Sequence, residues 1–439
     1  MLEWWVVLIL FFLFLITFVF SGMPVAFAFL LVNIIIATLV IGFESGMETL
    51  IFSAFESVAS FALTPIPLFV LMGELLFHSG LVMKVLDVFS KLMGRIPSRL
   101  SILTIVTGTM FSALSGSAVA NAAMLGSSLT PEMQKRGYHL KMIVGPILAA
   151  GSLAAIIPPS ATAVLLGSLG RISVGDLLIA CIMPGLLISI ILLTYYFVLG
   201  KINPLLAPQY EINKSGWGGR LRSFFVHVFP MLLLIILVLG LIFSGFATPT
   251  ESAAVGALGT LILPLLYGRL NTTVLAKSLT GTIKVSGMIL LILAAAAGFS
   301  QLLAYTGATR GLINLIMSMD VFPIVTIILM LFIVVILGTF IDPISIMMIT
   351  IPLFLPMVTA LEYNLVWFGV LMLICLGLGN ITPPFGTLLF VMKGVLPEDV
   401  PMKEIYKSVI GIVILKVSAI VLLIIFPEII LWLPSLPSN

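Results

Sequence analysis

Charged residues are scarce in this sequence: Asp, Glu, Lys and Arg together make up 8% of its 439 residues. Soluble domains carry about 25% charged residues, so a soluble domain is excluded as the main part of the chain. Hydrophobic residues make up 61%, and a membrane-spanning helix needs about 20 apolar residues in a row. The composition therefore predicts an all-α polytopic membrane protein.

Cysteine, histidine and net charge are also low. The two cysteines, Cys181 and Cys375, lie in apolar helical sequence, where cysteine is usually a small buried hydrophobic residue. The three histidines, His78, His139 and His227, fall at the predicted membrane edges. The net charge of +3 is too small to indicate a nucleic-acid partner. These low values argue against a disulfide framework, a transition-metal site and nucleic-acid binding.

The apolar segments predict ten membrane spans in a lipid bilayer with short connections. A cleavable signal peptide is not expected, because the first segment is apolar from its start with no basic stretch before it. The predicted spans are 4–20, 24–42, 62–79, 141–167, 176–199, 224–245, 252–268, 284–304, 364–391 and 408–432.

A proline pair interrupts each of two long apolar segments. Pro158 and Pro159 fall within 141–167, and Pro383 and Pro384 fall within 364–391. Proline lacks a backbone donor and clashes with the preceding helical turn, so we expect each helix to break at membrane depth. Broken backbone at that depth is tolerated only where it is packed in protein or lines a polar cavity. Two such breaks in matching positions are typical of the binding site of a secondary transporter.

The distribution of basic residues predicts the orientation of the chain. When the spans alternate, all but three of the 20 basic residues fall on one side of the membrane. The exceptions are Arg171 and Arg310 on the opposite side and Lys416 inside the last span. Because basic residues concentrate in cytoplasmic loops, that side is predicted to be cytoplasmic. Both termini are then predicted to be periplasmic, in a bacterial cytoplasmic (inner) membrane.

Two further apolar segments are each long enough for two half-depth helices joined at a polar tip. Segment 98–133 has basic residues at both ends, which indicates that it enters and leaves from the cytoplasm. Segment 323–360 is flanked by Asp320 and Glu362, with few basic residues nearby. It is therefore predicted to be a re-entrant hairpin that dips in from the outside.

Equivalent residues recur along the two halves of the chain. Pro131 and Pro356 are 225 residues apart, and the two proline pairs have the same separation. With one hairpin from each side, this order predicts two inverted-topology repeats, 1–205 and 206–439, each with a re-entrant hairpin and a discontinuous helix. Their predicted parts are scaffold spans 1–80, interfacial arm 81–96, hairpin 98–133 and broken helix 141–167, then scaffold spans 224–304, arm 305–322, hairpin 323–360 and broken helix 364–391.

Small and polar residues form the tip of each hairpin. Such residues allow a tight turn, and the freed carbonyl and hydroxyl oxygens are donors of the kind that hold sodium in transporters. Asp342 is the one carboxylate of the second tip, and its charge is costly at membrane depth unless it is paired. We therefore predict two sodium sites. Their ligands are predicted to be Ser112, Ser115, Gly116, Ser117, Gly151, Gly338, Thr339, Asp342, Gly377, Gly379 and Thr382.

The helix starts beyond the two breaks point backbone donors and positive dipole ends into the site, which favours an anionic substrate. The predicted substrate-binding residues are Ser117, Asn121, Pro158, Pro159, Thr162, Pro383, Pro384 and Thr387. The alternative for any one of these residues, and for the sodium ligands, is that it only allows tight helix packing. Glu74 has a counterpart in Gln301, which favours a structural hydrogen bond to a hairpin over a proton relay.

Six motifs carry a resemblance to a known family. The chain resembles the large membrane subunit of tripartite ATP-independent periplasmic (TRAP) transporters, which belong to the ion-transporter superfamily. The motifs cover nearly the whole chain, and it is their combination that is specific. They are MGELLFHSG at 72–80, SGSAVANAA at 115–123, PEMQKRGY at 131–138, IIPPS at 156–160, ATPTESAAVG at 247–256 and GNITPPFG at 379–386.

The resemblance implies sodium-coupled import of an organic acid by an elevator movement, with sodium as the coupling ion and no organic cofactor. It places sodium ligands on Ser115, Ser117 and Asp342. It also implies two partners: a small membrane subunit of about four spans, expected to be a separate chain, and a soluble periplasmic substrate-binding protein. The substrate would be a carboxylate, such as a C4-dicarboxylate, or a sulfonate.

Three other functions are compatible with parts of the sequence. A stand-alone sodium/dicarboxylate carrier would have similar hairpins and need no binding protein. An intramembrane hydrolase could use a serine of the first tip as nucleophile, but it would need a base within hydrogen-bonding reach, and no histidine is predicted at depth. A channel is disfavoured, because two opposed hairpins with inverted symmetry favour alternating access.

Overall fold

The computed structural model describes residues 3–94, 96–208, 217–319 and 321–436, and all secondary structure in these ranges is helical. In chain order the helices are α1 (Trp4–Phe20), α2 (Val25–Val40), α3 (Phe43–Val58), α4 (Pro65–His78), α5 (Leu81–Leu92), α6 (Arg99–Ser115), α7 (Ala118–Lys135), α8 (Leu140–Ser152), α9 (Ala161–Gly170), α10 (Val174–Ala180), α11 (Ile182–Ile202), α12 (Trp217–His227), α13 (Phe229–Phe243), α14 (Pro249–Leu266), α15 (Thr272–Tyr305), α16 (Ala308–Ser318), α17 (Pro323–Gly338), α18 (Pro343–Ala360), α19 (Leu365–Gly379), α20 (Thr387–Val395), α21 (Met402–Ile425) and α22 (Glu428–Leu431).

Six helical segments among the described residues are long and apolar enough to cross a membrane. The count rises to seven if α12 and α13, bent by 41° relative to each other, form one span. The bend lies within the predicted span 224–245, and Pro230 in the first turn of α13 explains it. The chain is thus an integral membrane protein. The other predicted spans correspond to shorter helices of 9–17 residues.

Both predicted breaks are present. Helix α8 ends at Ser152 and α9 begins at Ala161, while α19 ends at Gly379 and α20 begins at Thr387. The Pro158–Pro159 and Pro383–Pro384 peptide bonds, one in each break, are both cis. The predicted spans 141–167 and 364–391 are therefore each two shorter helices separated by an irregular segment.

Both predicted hairpins form helical pairs close to their expected bounds. The first consists of α6 and α7, joined at Gly116 and Ser117, and the second of α17 and α18, joined by residues 339–342. Gly116 has a φ of +58°, a left-handed conformation that glycine adopts without strain. The flanking residue Asp320 and the basic residues Arg95 and Lys214, all used to orient the chain, lie outside the described residues.

The order of helices in the first half recurs in the second half. Helices α1 and α13 begin at Trp4 and Phe229, α7 and α18 at Ala118 and Pro343, and α8 and α19 at Leu140 and Leu365. Within each of these pairs the starts are 225 residues apart. The predicted arms contain the amphipathic helices α5 and α16.

The helices pack into two groups. In one group α4 packs against α14 and α15, and α15 also packs against α2 and α3. In the other group α8 packs against α6, α7 and α21, and α19 packs against α17 and α21. Contacts of α4 with α6 and α9, and of α15 with α18, connect the two groups. The candidate site lies at this connection.

Candidate functional site

A cavity of about 650 Å³ lies between the two helix groups. Both hairpin tips line it, through Ser115 and Ser117 of the first and Asp342 of the second. The helices that follow the two breaks line it through Thr162 and Thr387. The opposite wall is formed by α4 and α15. Residues far apart in the sequence thus meet around one space, as the paired hairpins and breaks predicted.

The first tip is held together by local hydrogen bonds. Ser117 is the N-cap of α7, and its hydroxyl oxygen accepts from the backbone N–H of Ala120 at 3.3 Å. The Ser115 hydroxyl oxygen accepts from the Ser117 N–H at 3.4 Å. A β-carbon at Gly116 would lie 3.3 Å from the backbone nitrogen of Ala161. The tip therefore packs against the start of α9, and Ser115, Gly116 and Ser117 all face the cavity.

Asp342 of the second tip is the N-cap of α18. One carboxylate oxygen accepts from the backbone N–H groups of Ile344 and Ser345, both at 3.1 Å, and the other accepts from the Ser345 hydroxyl at 2.5 Å. A carboxylate offers about four lone-pair sites, so these three bonds leave it with capacity for one more partner. The helix start offsets part of its charge. The cost expected for a carboxylate at depth is thus met partly by α18 itself.

Four helices begin at the cavity. The lining includes residues 117–120 of α7 and its cap, 161–162 of α9, 342–344 of α18 and its cap, and Thr387 of α20. The unpaired backbone N–H groups and the positive dipole end of a helix lie at its start. Four such starts around one space make a region that favours an anion.

The wall opposite the tips is mostly apolar and close to the first tip. A β-carbon at Gly73 of α4 would lie 2.7 Å from the Cα of Ser115 and 2.8 Å from its carbonyl oxygen. Val285 and Ile289 of α15 also line this wall. The tip and α4 are therefore in direct backbone contact at a position where only glycine fits without displacement.

Two predicted residues lie behind the first tip and hold the hairpin together. Ser112 is fully buried, and its hydroxyl donates to the Ala150 carbonyl at 3.1 Å. The Asn121 amide nitrogen donates to the carbonyls of Gly108 and Ala150 at 3.0 and 3.3 Å and to the Ser112 hydroxyl at 2.9 Å. Asn121 borders the cavity, but its amide nitrogen is directed at hairpin atoms rather than at a substrate.

Four of the five predicted glycine ligands lie at helix crossings. A β-carbon at Gly338 would lie 2.8 Å from the Cα of Gly379, so α17 and α19 cross in backbone contact there. A β-carbon at Gly151 would lie 3.0 Å from the β-carbon of Ala122 on α7. Gly377 faces the backbone of Ser152, its neighbour across the two broken helices. These four glycines permit close packing and do not line the cavity.

The remaining predicted residues lie at the edges of the site. The hydroxyls of Thr339 and Thr382 donate to carbonyls of their own helices, at 2.8 and 2.7 Å. Pro158 and Pro159 are buried, and neither lines the cavity. Pro383 is half-buried and Pro384 is exposed, and they do not line it either. The proline pairs create the breaks, and the helix starts after them reach the cavity.

The sequence matches one family model over residues 11–429, that of the tripartite ATP-independent periplasmic transporter, DctM component. The chain belongs to this family.

Two relatives are similar to this chain over most of their length. The sialic acid TRAP transporter large permease protein SiaM of Vibrio cholerae is 29% identical, over 95% of this chain and 96% of its own. The C4-dicarboxylate TRAP transporter large permease protein DctM of Pseudomonas aeruginosa is 27% identical, over 91% and 92%. This TRAP large permease is accordingly a transport protein and not an enzyme.

The fold of this TRAP large permease is also similar to a solved structure. The YdaH transporter of Alcanivorax borkumensis aligns with a TM-score of 0.65 at 15% identity, covering 88% of this chain and 89% of that one. At this identity the likeness concerns the fold alone.

The sequence analysis missed the surroundings of Glu74 and His78 in this TRAP large permease. Both side chains line the cavity, and the His78 Nε2 lies 3.2 Å from a Glu74 carboxylate oxygen. Glu74 also lies close to Gly281 of α15. Its partner is therefore a residue of its own helix and not a hairpin, and Gln301 is exposed. The spacing of four residues on one helix was the available signal.

Lys416 was also missed, since the sequence shows only a lysine in an apolar span. It is 1% exposed, and its ammonium donates to the Ser152 hydroxyl at 2.6 Å and to the Ser152 carbonyl at 3.3 Å. Intramembrane lysines are rare and usually functional, and that general rule is the signal that could have identified it.

Proposed function

We propose that this chain imports a small organic acid anion, driven by the sodium gradient, across the bacterial cytoplasmic membrane. The observation that carries the proposal is the convergence of four helix starts on one cavity, at residues 117–120, 161–162, 342–344 and 387. Helix starts supply N–H donors and positive potential, which suit a carboxylate or sulfonate. The relatives' names refer to sialic acid and C4-dicarboxylates, which are organic acids.

The sodium ions are proposed to bind at the hairpin tips. Ser115, Gly116 and Ser117 offer hydroxyl and carbonyl oxygens beside the cavity, and Asp342 retains acceptor capacity at the second tip. Oxygens at helix ends and unwound segments are the sodium ligands typical of transporters with broken helices. The tip residues are retained as candidate ligands, whereas Gly151, Gly338, Gly377 and Gly379 support the site by close packing.

Transport is proposed to follow an elevator movement of two inverted repeats. The group containing the hairpins and broken helices would move against the wall formed by α4 and α15. The contact of Gly73 with Ser115 at this wall would then form and separate during the cycle. Membership of the TRAP family supports a small membrane subunit of about four spans and a soluble periplasmic protein as partners. Both termini are proposed to be periplasmic.

The test is uptake into proteoliposomes that contain this chain and its small membrane subunit. An inward sodium gradient is imposed with and without the periplasmic protein, and labelled succinate and N-acetylneuraminate are the first acids tested. Uptake that requires both sodium and the soluble protein is the expected result. Thr387→Ala at the cavity should reduce uptake, while Thr306→Ala, whose hydroxyl bonds its own helix, should not.

Two other results would change the proposal. Uptake that does not need the periplasmic protein would indicate a stand-alone carrier. Uptake of an acid that is driven by another ion gradient, and not by a sodium gradient, would refute sodium coupling. The cavity would still be the proposed anion site.

A further inference from the structure

Lys416 of α21 lies at the point where the two discontinuous helices cross. Its ammonium donates to both oxygens of Ser152, the last residue of α8. Gly377 of α19 packs directly on Ser152, and a β-carbon at Gly377 would lie 3.6 Å from the Lys416 nitrogen. One cationic group therefore bonds the carboxyl end of α8 and lies beside the adjoining turn of α19.

The carbonyls at the end of α8 are each bonded, and Lys416 is the one charged donor among their partners. The Ser152 hydroxyl donates to the Ala149 carbonyl at 2.7 Å, so toward the ammonium it acts as an acceptor. The Ala150 carbonyl receives Leu153 N–H at 3.2 Å, and the Gly151 carbonyl receives Ala154 N–H at 3.2 Å. The Ser152 carbonyl is bonded by Lys416. Within the described residues, no carboxylate pairs with this ammonium.

The electrostatic arrangement is that of a cation at a helix carboxyl end. An ammonium without a carboxylate partner is costly in a membrane interior. The negative end of the α8 dipole and the two Ser152 oxygens offset part of that cost. Carbonyls at the carboxyl ends of broken helices are also the groups that hold coupling cations in other transporters.

The crossing lies at equivalent positions of the two halves, but the lysine does not recur. Ser152 and Gly377 are 225 residues apart, the same separation as the helix starts. The residue 225 positions before Lys416 is Ile191 on α11. The chain thus supplies one cation to a crossing that two equivalent helices form.

We propose that the Lys416 ammonium is a tethered cation that occupies a position a free coupling cation would otherwise take. This inference rests on the proposed sodium coupling. The lysine holds the ends of α8 and α19 together throughout the cycle, and the transporter moves one sodium ion fewer per substrate than it would without it. Lys416 is thus a positioning residue that sets the ion stoichiometry.

The test measures the ratio of sodium to substrate carried by Lys416→Ala, which removes the charge and leaves the space of the lysine side chain open to an ion. The chain and its small subunit are reconstituted, and uptake of radioactive sodium is measured beside uptake of the acid identified in the uptake panel. The expected result is one additional sodium ion per substrate in the variant. Lys407→Ala is the control, because Lys407 is exposed on the same helix and pairs with Glu404; it should keep the wild-type ratio.

A binding measurement covers variants that do not transport. The melting temperature of the purified complex is compared in sodium chloride and potassium chloride for wild type, Lys416→Ala and Lys416→Gln. If sodium raises the melting temperature relative to potassium by more in either variant than in wild type, the result supports a vacated cation site. An unchanged transport ratio in a folded variant, or a sodium-specific stabilisation no larger than wild type in both, would overturn the proposal. Absence of sodium-driven uptake in wild type would instead refute the proposed function.

Discussion

Substituting Gly73 by alanine should separate the first hairpin tip from α4. The new β-carbon would lie 2.7 Å from the Cα of Ser115, about 0.7 Å short of the 3.4 Å at which ordinary contact begins. The opposing atoms belong to backbone, so rotation of a side chain does not relieve the overlap. Overpacking of this kind costs about 1–3 kcal/mol.

The cost should fall on one state of the transport cycle. Suppose that α4 and the tip are in contact in one conformation of the cycle and apart in another. A cost of about 2 kcal/mol in the first conformation then shifts the equilibrium between the two by about 30-fold, because 1.4 kcal/mol corresponds to a tenfold change in an equilibrium constant. Sodium-driven uptake by Gly73→Ala should therefore be strongly reduced. The folded protein should persist, because the overlap is relieved by separation of the two helix groups and not by unfolding.

Cysteine labelling reports the separation directly. Val119 lies in the first turn of α7 at the cavity and is 48% exposed, whereas both native cysteines are buried. Val119→Cys should react with a water-soluble maleimide several-fold faster when combined with Gly73→Ala, up to the 30-fold population shift.

The matched control for Gly73→Ala is Gly287→Ala on α15. A β-carbon at Gly287 meets nothing within 4 Å, and alanine in a helix interior is favoured over glycine by about 0.5–1 kcal/mol. The control should keep wild-type uptake and labelling. If Gly73→Ala matches the control in both uptake and labelling, the contact between the tip and α4 does not govern the transport cycle.

Further substitutions test other parts of the site and the packing outside it. Asp342→Asn keeps an N-cap for α18 but removes the charge, so melting should change little while sodium-driven uptake falls; Asp342→Ala should also lose about 1 kcal/mol of capping. Asn121→Ala removes the amide hydrogen bonds to the Ser112 hydroxyl and to the Gly108 and Ala150 carbonyls, which keep other partners, and should lower the free energy of unfolding by about 0.5–1.5 kcal/mol, measured by thermal denaturation. Gly145→Ala would clash with the buried Tyr196 hydroxyl, and Tyr196→Phe should recover part of the lost stability in the double variant.

The elements of the fold that depend on local signals could be predicted from the sequence. The hairpin predicted at 323–360 is formed by α17 and α18 with the same bounds, and the hairpin at 98–133 differs from α6 and α7 by two residues or fewer at each end. Proline pairs end helices wherever they occur, and small polar tips permit tight turns. The helix breaks, too, follow from backbone chemistry and need no knowledge of tertiary contacts.

The direction in which each residue faces could not be predicted in the same way. Pro158 and Pro159 cause a break but are buried away from the cavity, whereas Thr162 after them reaches it. Gly377 has the composition of an ion-binding turn but packs against Ser152. The rotation of a helix about its axis at a crossing is set by partners from distant segments, and a single sequence does not record those partners.

The contact between Lys416 and Ser152 illustrates how the polarity of a broken helix can link a bound cation to a bound anion. Each discontinuous helix has a first part whose carboxyl end lies at the crossing and a second part whose start reaches the cavity. In the proposed arrangement a cation acts on the carboxyl end of α8, and the anion acts on the starts of α9 and α20. A cation bound at the end of α8, beside α19, also holds the segments that lead to Thr162 and Thr387. Coupling of ion and substrate then needs no direct contact between them.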